Sequence, residues 1–252
     1  MSEAPGAVRT GAGAEADGSS QPVRAWDLPT RLYHWLQLAL VVGSYYTQWW
    51  MDPAADPTMR FHRWLGYSIL TLLVFRLLWG VVGGSTARFG SFVRSPGTVV
   101  RYAWALARGR APAYLGHNPL GTLMVLALLA VLAAQALSGL FAADSNAIFG
   151  GPFAHLDPLE DGPAWKGSAS RYHHLGANIL LVLVGVHVVI NLYYQYVRRD
   201  KLISAMASGY KPARAYADQP EAAGGSPARA AVCLITAAVI VFGGIKIFDG
   251  SL

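Results

Sequence analysis

Histidine is the residue whose number and spacing suggest chemistry in this chain of 252 residues, which contains seven. Four of them, His34, His62, His173 and His187, lie in or at the ends of strongly apolar stretches. An ionisable side chain in an apolar environment is costly and usually has a function. A lone histidine of this kind is often only a hydrogen-bonded packing residue, so the relative positions of the four decide their role.

The apolar stretches are the elements that must position these side chains. Apolar residue types make up 54% of the chain and charged types 13%, against about 25% charged in an ordinary soluble domain. A helix needs about 20 mostly apolar residues to cross the hydrocarbon of a membrane. Five such helices are predicted, over residues 31–51, 62–82, 119–142, 172–197 and 230–248.

The charged residues between these stretches predict the orientation. Residues 83–118 contain five arginines and no acidic residue, and the segment after residue 197 carries six basic residues before the last helix against three acidic ones. The other two loops carry more acid. By the positive-inside rule the N-terminus is cytoplasmic and, after five crossings, the C-terminus is periplasmic. Residues 1–22 contain no apolar stretch, which predicts a disordered cytoplasmic tail and not a signal peptide.

Several classes of protein are excluded by composition. The single cysteine, Cys233, excludes a disulfide framework, a four-cysteine zinc site and a cysteine-held iron–sulfur cluster. The net charge of +6 is dispersed in clusters between apolar runs, so nucleic-acid binding is not expected.

Helical geometry sorts the four histidines into two pairs. His173 and His187 are 14 residues apart, which is about 40° short of four turns and a rise of about 21 Å. Both therefore project from one face of the fourth helix, one near each side of the membrane. The predicted topology puts His34 at the inner level with His187, and His62 at the outer level with His173. His174 lies about 140° from His187 and is the poorer candidate for that face.

Two imidazoles without a nearby cysteine or carboxylate suit the axial positions of haem iron. Zinc requires three or four ligands, and a proton relay requires acidic residues within the spans, which contain none. No Cys-x-x-Cys-His sequence is present for covalent attachment. The pattern therefore predicts two non-covalent haems b, one above the other across the membrane. Six-coordinate iron leaves no open position for a substrate, so an electron carrier is expected.

Four further residues are candidates for contact with the haem propionates. Arg76 is 14 residues after His62 and so lies near the inner pair, where it either binds a propionate or extends to the inner headgroups. Arg63 and Arg60 flank the outer pair and are the corresponding candidates for a propionate contact at the outer level. His117 precedes a predicted helix start at Asn118 and is expected to have a structural or propionate role, with a quinone headgroup as an alternative.

The motifs around these residues resemble a known family. They are Trp26-Asp27, Arg31-Leu32-Tyr33-His34-Trp35, His62-Arg63-Trp64-Leu65-Gly66-Tyr67, Arg76-Leu77-Leu78-Trp79-Gly80, Gly116 to Gly121, Gln135 to Phe141, His173 to His187 and Met206-Ala207-Ser208-Gly209. In order and spacing, over about residues 24–212, the chain resembles the bacterial cytochrome b561 and nickel–iron hydrogenase b-type cytochrome subunit family.

The resemblance implies an all-α membrane protein with a four-helix bundle that binds two haems b through His34, His62, His173 and His187. It predicts a tail over 1–23, a dihaem domain over 24–212, and a linker with a fifth transmembrane helix over 213–252. Two departures stand out. His174 occupies a position where the family often has Glu, which makes it a second candidate for the outer ligand. The fifth helix, with its small residues Ala237, Ala238, Gly243 and Gly244, is either a packing surface for another subunit, or for a further copy of the chain, or a plain tether.

The sequence therefore predicts a dihaem cytochrome of the bacterial cytoplasmic membrane. Family members pass electrons between the quinone pool and a periplasmic partner such as a c-type cytochrome, a reductase or a hydrogenase subunit. One alternative is a self-contained superoxide:quinone oxidoreductase, but the acidic outer loops disfavour an anionic substrate. The other alternative is a haem-free transporter or assembly protein.

Overall fold

A computed structural model describes residues 21–52, 54–56, 58–143, 150–157 and 168–248, and these are almost entirely helical. Five long helices are present: α1 (Leu28–Trp49), α2 (Arg60–Val82), α5 (Pro119–Phe141), α6 (Ala169–Leu192) and α8 (Pro227–Phe248). The shorter helices are α3 (Phe89–Phe92), α4 (Pro96–Ala107) and α7 (Leu202–Ser208). A 3-10 turn covers Ala154–Leu156, and a π-helical turn, Tyr193–Val197, continues α6. Two short antiparallel strands, β1 (Val23–Arg24) and β2 (Tyr210–Lys211), pair Val23 with Lys211.

The long helices agree with the five predicted spans to within three residues at each end, if the π-helical turn is counted with α6. Local capping explains the early starts. Asp27 accepts a hydrogen bond from the Thr30 amide at 2.9 Å, and Ser168 accepts one from the Arg171 amide at 3.4 Å. Each cap satisfies a backbone N–H of the first helical turn and so extends the helix upstream of the apolar stretch.

Among the described residues, four helices are long and apolar enough to cross a membrane: α2, α5, α6 with its π-helical turn, and α8. The chain is therefore a multi-pass membrane protein. Helix α1 has 22 residues and so has the necessary length, but it includes Arg31, His34 and Gln37 and is less apolar than the other four.

The bundle is built from neighbouring antiparallel pairs. Helix α1 packs along α2, α2 packs against α5, and α5 packs along α6. A central cluster that includes Ile69, Leu132 and Leu180 joins the last three of these helices. The fourth side, between α1 and α6, is more open, and there the Tyr45 hydroxyl donates to the Ala177 carbonyl at 2.5 Å. The pair His34 and His187 bridges α1 and α6, and the pair His62 and His173 bridges α2 and α6.

Helix α8 packs on the outside of α2 and not as a free tether. Cys233, Ala237, Val241 and Ile245 are buried at intervals of four residues and form one stripe along α8. Cys233 and Ala237 of this stripe contact Phe75 and Trp79 of α2, and Val241 and Ile245 contact Tyr67 of α2. Ala237, one of the small residues noted in the sequence, therefore packs against another helix of the same chain.

The linker after α7 is held against one end of the bundle. Asp27 accepts hydrogen bonds from the amides of Gly84 and Gly225, at 3.2 and 3.0 Å, and so joins the starts of α1 and α8 to the end of α2. Asp218 accepts from the amides of Leu115 and Gly116 at 2.7 and 2.9 Å, just before α5. Residues 212–226 therefore cover the bundle at the level of the inner histidines.

Candidate functional site

The structure brings the four histidines together in the two pairs predicted from sequence. The ring centres of His34 and His187 are 6.5 Å apart, and those of His62 and His173 are 6.2 Å apart. Two imidazoles on opposite sides of one metal ion have ring centres roughly 6 Å apart, because each bond is about 2.0 Å and each nitrogen lies about 1 Å from its ring centre. Both separations therefore fit one ion between each pair.

The outer pair is oriented by backbone carbonyl groups. The Nδ1 atom of His62 lies 3.2 Å from the Ser44 carbonyl and 3.0 Å from the Thr47 hydroxyl. The Nδ1 atom of His173 lies 2.9 Å from the Gln135 carbonyl. An imidazole that donates Nδ1–H to a carbonyl keeps its lone pair on Nε2, which is the arrangement typical of metal-ligating histidines. The donor set of this pair thus suits ligation through Nε2.

Gln135 and Gly139 of α5 shape the space around His173. The Gln135 side-chain nitrogen lies 3.3 Å from His173 Nε2, and its side-chain oxygen is buried without a hydrogen-bond partner. A metal bond at Nε2 excludes that contact, so ligation requires the Gln135 amide to turn away. A Cβ atom at Gly139 would lie 2.8 Å from His173 Cε1, so only glycine leaves room for the ring in this position.

His174 projects differently from its neighbour. It is exposed, whereas His173 is half-buried in the bundle. Helix α6 is continuous from Ala169 to Leu192, so the helical phase that relates His173 to His187 applies over the whole interval. The structure therefore places His173, and not His174, opposite His62.

The inner pair is held less firmly. His34 Nδ1 is buried and has no hydrogen-bond partner. The Asn191 side-chain amide donates to the His187 carbonyl at 2.7 Å and lies 3.3 Å from its Nε2 atom. Within the described residues, neither ring donates to a backbone carbonyl, so the inner histidines lack the hydrogen bonds that orient the outer ones.

Arg76 and His117 lie beside the inner pair with unused polar atoms. Arg76 is 4% exposed, its guanidinium carbon lies 4.8 Å from the Phe89 ring centre, and Nη1 has no partner. The ring of His117 packs between Trp26 and Phe92, and Nδ1 is buried without a partner. Burial, followed by the positive charge of Arg76, lowers the pKa of His117 to about 3. A buried guanidinium with a free N–H is a suitable partner for a carboxylate, so this region fits a propionate group.

Two other residues near the pairs, Arg63 and Gln37, also have buried polar side-chain atoms without a hydrogen-bond partner. Arg63, next to His62, has a buried Nε without a partner, whereas Arg60 is exposed. Gln37, one turn after His34, is 8% exposed, and neither atom of its amide has a partner. Gln37 was not predicted from the sequence, although an amide in an otherwise apolar turn beside His34 was the available signal. His155 is exposed.

The donor set as a whole fits haem better than a tetrahedral metal site. Within the part of the chain that the structure describes, no three His, Cys, Asp or Glu side chains form a metal-binding group. Each histidine pair supplies two nitrogens and is accompanied by buried, unsatisfied polar groups. An unsatisfied buried group costs about 1–3 kcal/mol, so these groups indicate a further binding partner at both levels. Two imidazoles with nearby cations match the iron and the propionates of a b-type haem.

Comparisons with known proteins agree with this chemistry. The profile of the prokaryotic cytochrome b561 family matches residues 25–209. A probable Ni/Fe-hydrogenase B-type cytochrome subunit of Azotobacter vinelandii is 29% identical over 238 residues, which cover 81% of this chain and 94% of the relative. The subunit of the same name from Rhizobium leguminosarum bv. viciae is 28% identical over 222 residues, covering 75% of this chain and 88% of the relative.

No solved structure matches the chain significantly. The family match covers well over half of the chain and contains all four paired histidines, Arg63, Arg76 and His117. The chain therefore belongs to the prokaryotic cytochrome b561 family, and it is a membrane b-type cytochrome of electron transfer.

Proposed function

We propose that this protein carries electrons across the membrane through two haems b, one held by His34 and His187 and the other by His62 and His173. The observation that supports this most directly is the pair of ring separations, 6.5 and 6.2 Å, at two levels of one bundle. The two levels are 14 residues apart along α6, or about 21 Å. Two redox centres at this spacing extend over most of the hydrocarbon thickness.

The iron supplies one-electron redox chemistry when bound, and the chain's residues hold it and set its surroundings. Hydrogen bonds from Nδ1 to the Ser44 and Gln135 carbonyls would orient the outer histidines and leave Nε2 as the nitrogen that holds the iron. Arg76 and His117 offer a cation and a neutral imidazole for propionates at the inner level, and Arg63 offers an N–H at the outer level. If each histidine pair held one iron through both of its rings, no site for a substrate would remain on the metal, which favours electron transfer over oxygen chemistry.

We propose a bacterial cytoplasmic-membrane location with five crossings, α1 included. Both segments that are rich in arginine and lysine, 83–118 and 198–226, then face the cytoplasm together with the N-terminus. The C-terminus after α8 lies in the periplasm. Helix α1 supports this assignment by its length and by its packing along α2, and its polar residues His34 and Gln37 are half-buried and buried, respectively.

The proposed partners are the quinone pool and a redox protein on the outer side. Relatives of this chain are named as hydrogenase cytochrome subunits, and so a hydrogenase is the first candidate for the outer partner. The outer loops contain Asp52 and Asp56, which suit a cationic protein surface such as that of a c-type cytochrome. The same acidic loops disfavour superoxide as a substrate.

Oriented proteoliposomes of the purified holoprotein test this function. A quinol is added to reduce the haems, and a membrane-impermeant oxidant is then supplied on the periplasmic face alone. We expect both b-type bands to appear on reduction and both to be reoxidised from that face. In His62→Ala, reoxidation of the remaining haem should be slowed by at least about tenfold. A colourless protein, or haems that the quinol does not reduce, would overturn the proposal.

A further inference from the structure

A surface cavity of about 450 Å³ lies beside the inner end of α2, and none of the four paired histidines lines it. Its walls come from the end of α2, from α3 and from the linker, and include Val81, Ser85, Arg88, Phe89, Ser91 and Gln219. We propose that this cavity binds the phosphate headgroup of an anionic phospholipid. The proposal uses the orientation given under Proposed function to assign the lipid to the cytoplasmic leaflet.

The polar wall of the cavity offers donors to an anion. Arg88 is exposed, and none of the 36 residues from 83 to 118 is acidic. The Ser85 hydroxyl oxygen accepts from the Ala223 amide at 2.9 Å, which leaves its own O–H free to donate. Ser91 is committed to the Arg88 carbonyl at 2.6 Å and fixes the backbone of this turn. A guanidinium and a hydroxyl that line the same cavity, here those of Arg88 and Ser85, are a suitable pair of ligands for phosphate.

The apolar wall gives a path for an acyl chain. Val81 is 70% exposed and Leu77, one turn earlier on α2, is 56% exposed. Both side chains therefore continue from the cavity toward the membrane centre on one face of the helix. Phe89 forms the wall of the cavity nearest Arg76, because its ring contacts both Gly80 and the Arg76 guanidinium. One aromatic ring therefore separates the cavity from Arg76.

Position in the fold agrees with this ligand. Helix α2 ends at Val82 and α5 begins at Pro119, so the segment between them lies at one face of the membrane. Its helix α4 is amphipathic, with Arg101 and Trp104 both exposed, as in helices that lie in the headgroup region. Anionic lipids attract basic residues near the surface by about 1 kcal/mol each. A quinone has a neutral headgroup and gains little from Arg88, so a phospholipid is the better fit.

The test is lipid binding to the purified holoprotein, measured by native mass spectrometry. Phosphatidylglycerol and phosphatidylcholine with identical acyl chains are titrated against the wild type, Arg88→Gln and Arg101→Gln. The last variant removes the same charge from α4, outside the cavity. We expect the wild type to prefer phosphatidylglycerol, Arg88→Gln to bind it at least about tenfold more weakly, and Arg101→Gln to bind it nearly as the wild type does.

Three results would overturn the site: equal binding of the two lipids, equal weakening in both variants, or displacement of the bound lipid by a short-chain quinone at equimolar concentration. The haem spectrum is recorded on every sample. Normal haem bands with no lipid preference would reject this site alone, whereas a wild type without haem would reject the proposed function.

Discussion

At the scale of single residues, hydrogen bonds to the backbone distinguish the paired histidines of the outer level from the adjacent His174. His173 donates toward the Gln135 carbonyl and faces His62, whereas the adjacent His174 is exposed. Helical phase was sufficient to predict this difference from sequence, since 14 residues bring His173 almost into line with His187. The carbonyl acceptors could not be predicted, because Ser44 and Gln135 come from other helices.

Replacing each of the adjacent histidines with Ala tests the outer site. His173→Ala should remove the outer haem and leave about half of the low-spin haem absorbance, because the remaining His62 cannot hold the iron alone. His174→Ala serves as the matched control and should retain both haems. Haem content per chain is measured after purification. The reverse pattern would mean that α6 is rewound near its start.

Arg76 tests the inner site through charge. Its buried guanidinium lies beside the inner histidines, and a nearby positive charge favours the reduced, more negative state of a haem. Arg76→Leu should therefore retain haem and lower the inner midpoint potential by tens of millivolts, an order of magnitude set by Coulomb attraction in a partly polar medium. Potentiometric titration measures the shift. Arg76→Lys keeps the charge and should shift the potential less; an unchanged potential in Arg76→Leu would exclude a charge role.

At the scale of secondary structure, the long helices were predictable and the short elements were not. Hydropathy located all five long helices, and Asn118 with Pro119 marks the start of α5. The N-cap Asp27 begins α1 three residues before the predicted start at residue 31. Helix α4, which covers Pro96–Ala107, was not among the predicted helices. Helices α3 and α7 and the strand pair depend on contacts between distant segments, such as Val23 with Lys211, and have no periodic signal.

The packing of α8 on α2 leads to a stability prediction. Ala237 is fully buried against α2, whereas Ala231 on the same helix is exposed. Ala237→Leu overfills a packed contact and should destabilise the protein by about 1–3 kcal/mol. That corresponds to a fall in the melting temperature of several degrees for a chain of this size. Thermal unfolding in detergent, followed by haem absorbance, measures it.

Ala231→Leu is the control for this prediction, because it adds the same side chain on the exposed face of α8. It should leave the melting temperature almost unchanged. If the two variants melt at the same temperature, α8 does not pack on α2 through the stripe that includes Ala237.

At the scale of the whole molecule, the site is an arrangement of helices and not of adjacent residues. His34, His62 and His187 come from three different helices, and the sequence alone related them only through predicted depth in the membrane. Depth was sufficient to predict the pairs. Successive spans run in opposite directions, so His34 near the start of α1 lies at the same depth as His187 near the end of α6. It could not identify Gln37 or the cavity beside Arg88, because burial and enclosure depend on the packing of the complete bundle.

Orientation is a testable property of the whole chain. The proposed topology of five crossings puts the two ends on opposite sides, with the arginine-rich segment 83–118 inside. On that proposal, a phosphatase reporter fused after Leu252 should be active in the periplasm, and a fluorescent protein fused at the N-terminus should fluoresce in the cytoplasm. Both ends on the same side would show that α1 does not cross.

Haem stoichiometry tests the central claim most directly. The pyridine haemochrome assay, with protein quantified by amino-acid analysis, should give two haems b per wild-type chain, both extractable by acidic organic solvent because no covalent attachment sequence is present. His187→Ala should give one haem with the spectrum of the outer site. A wild-type value of one haem, haem that resists extraction, or two low-spin haems in His187→Ala would contradict the assignment of two bis-histidine sites.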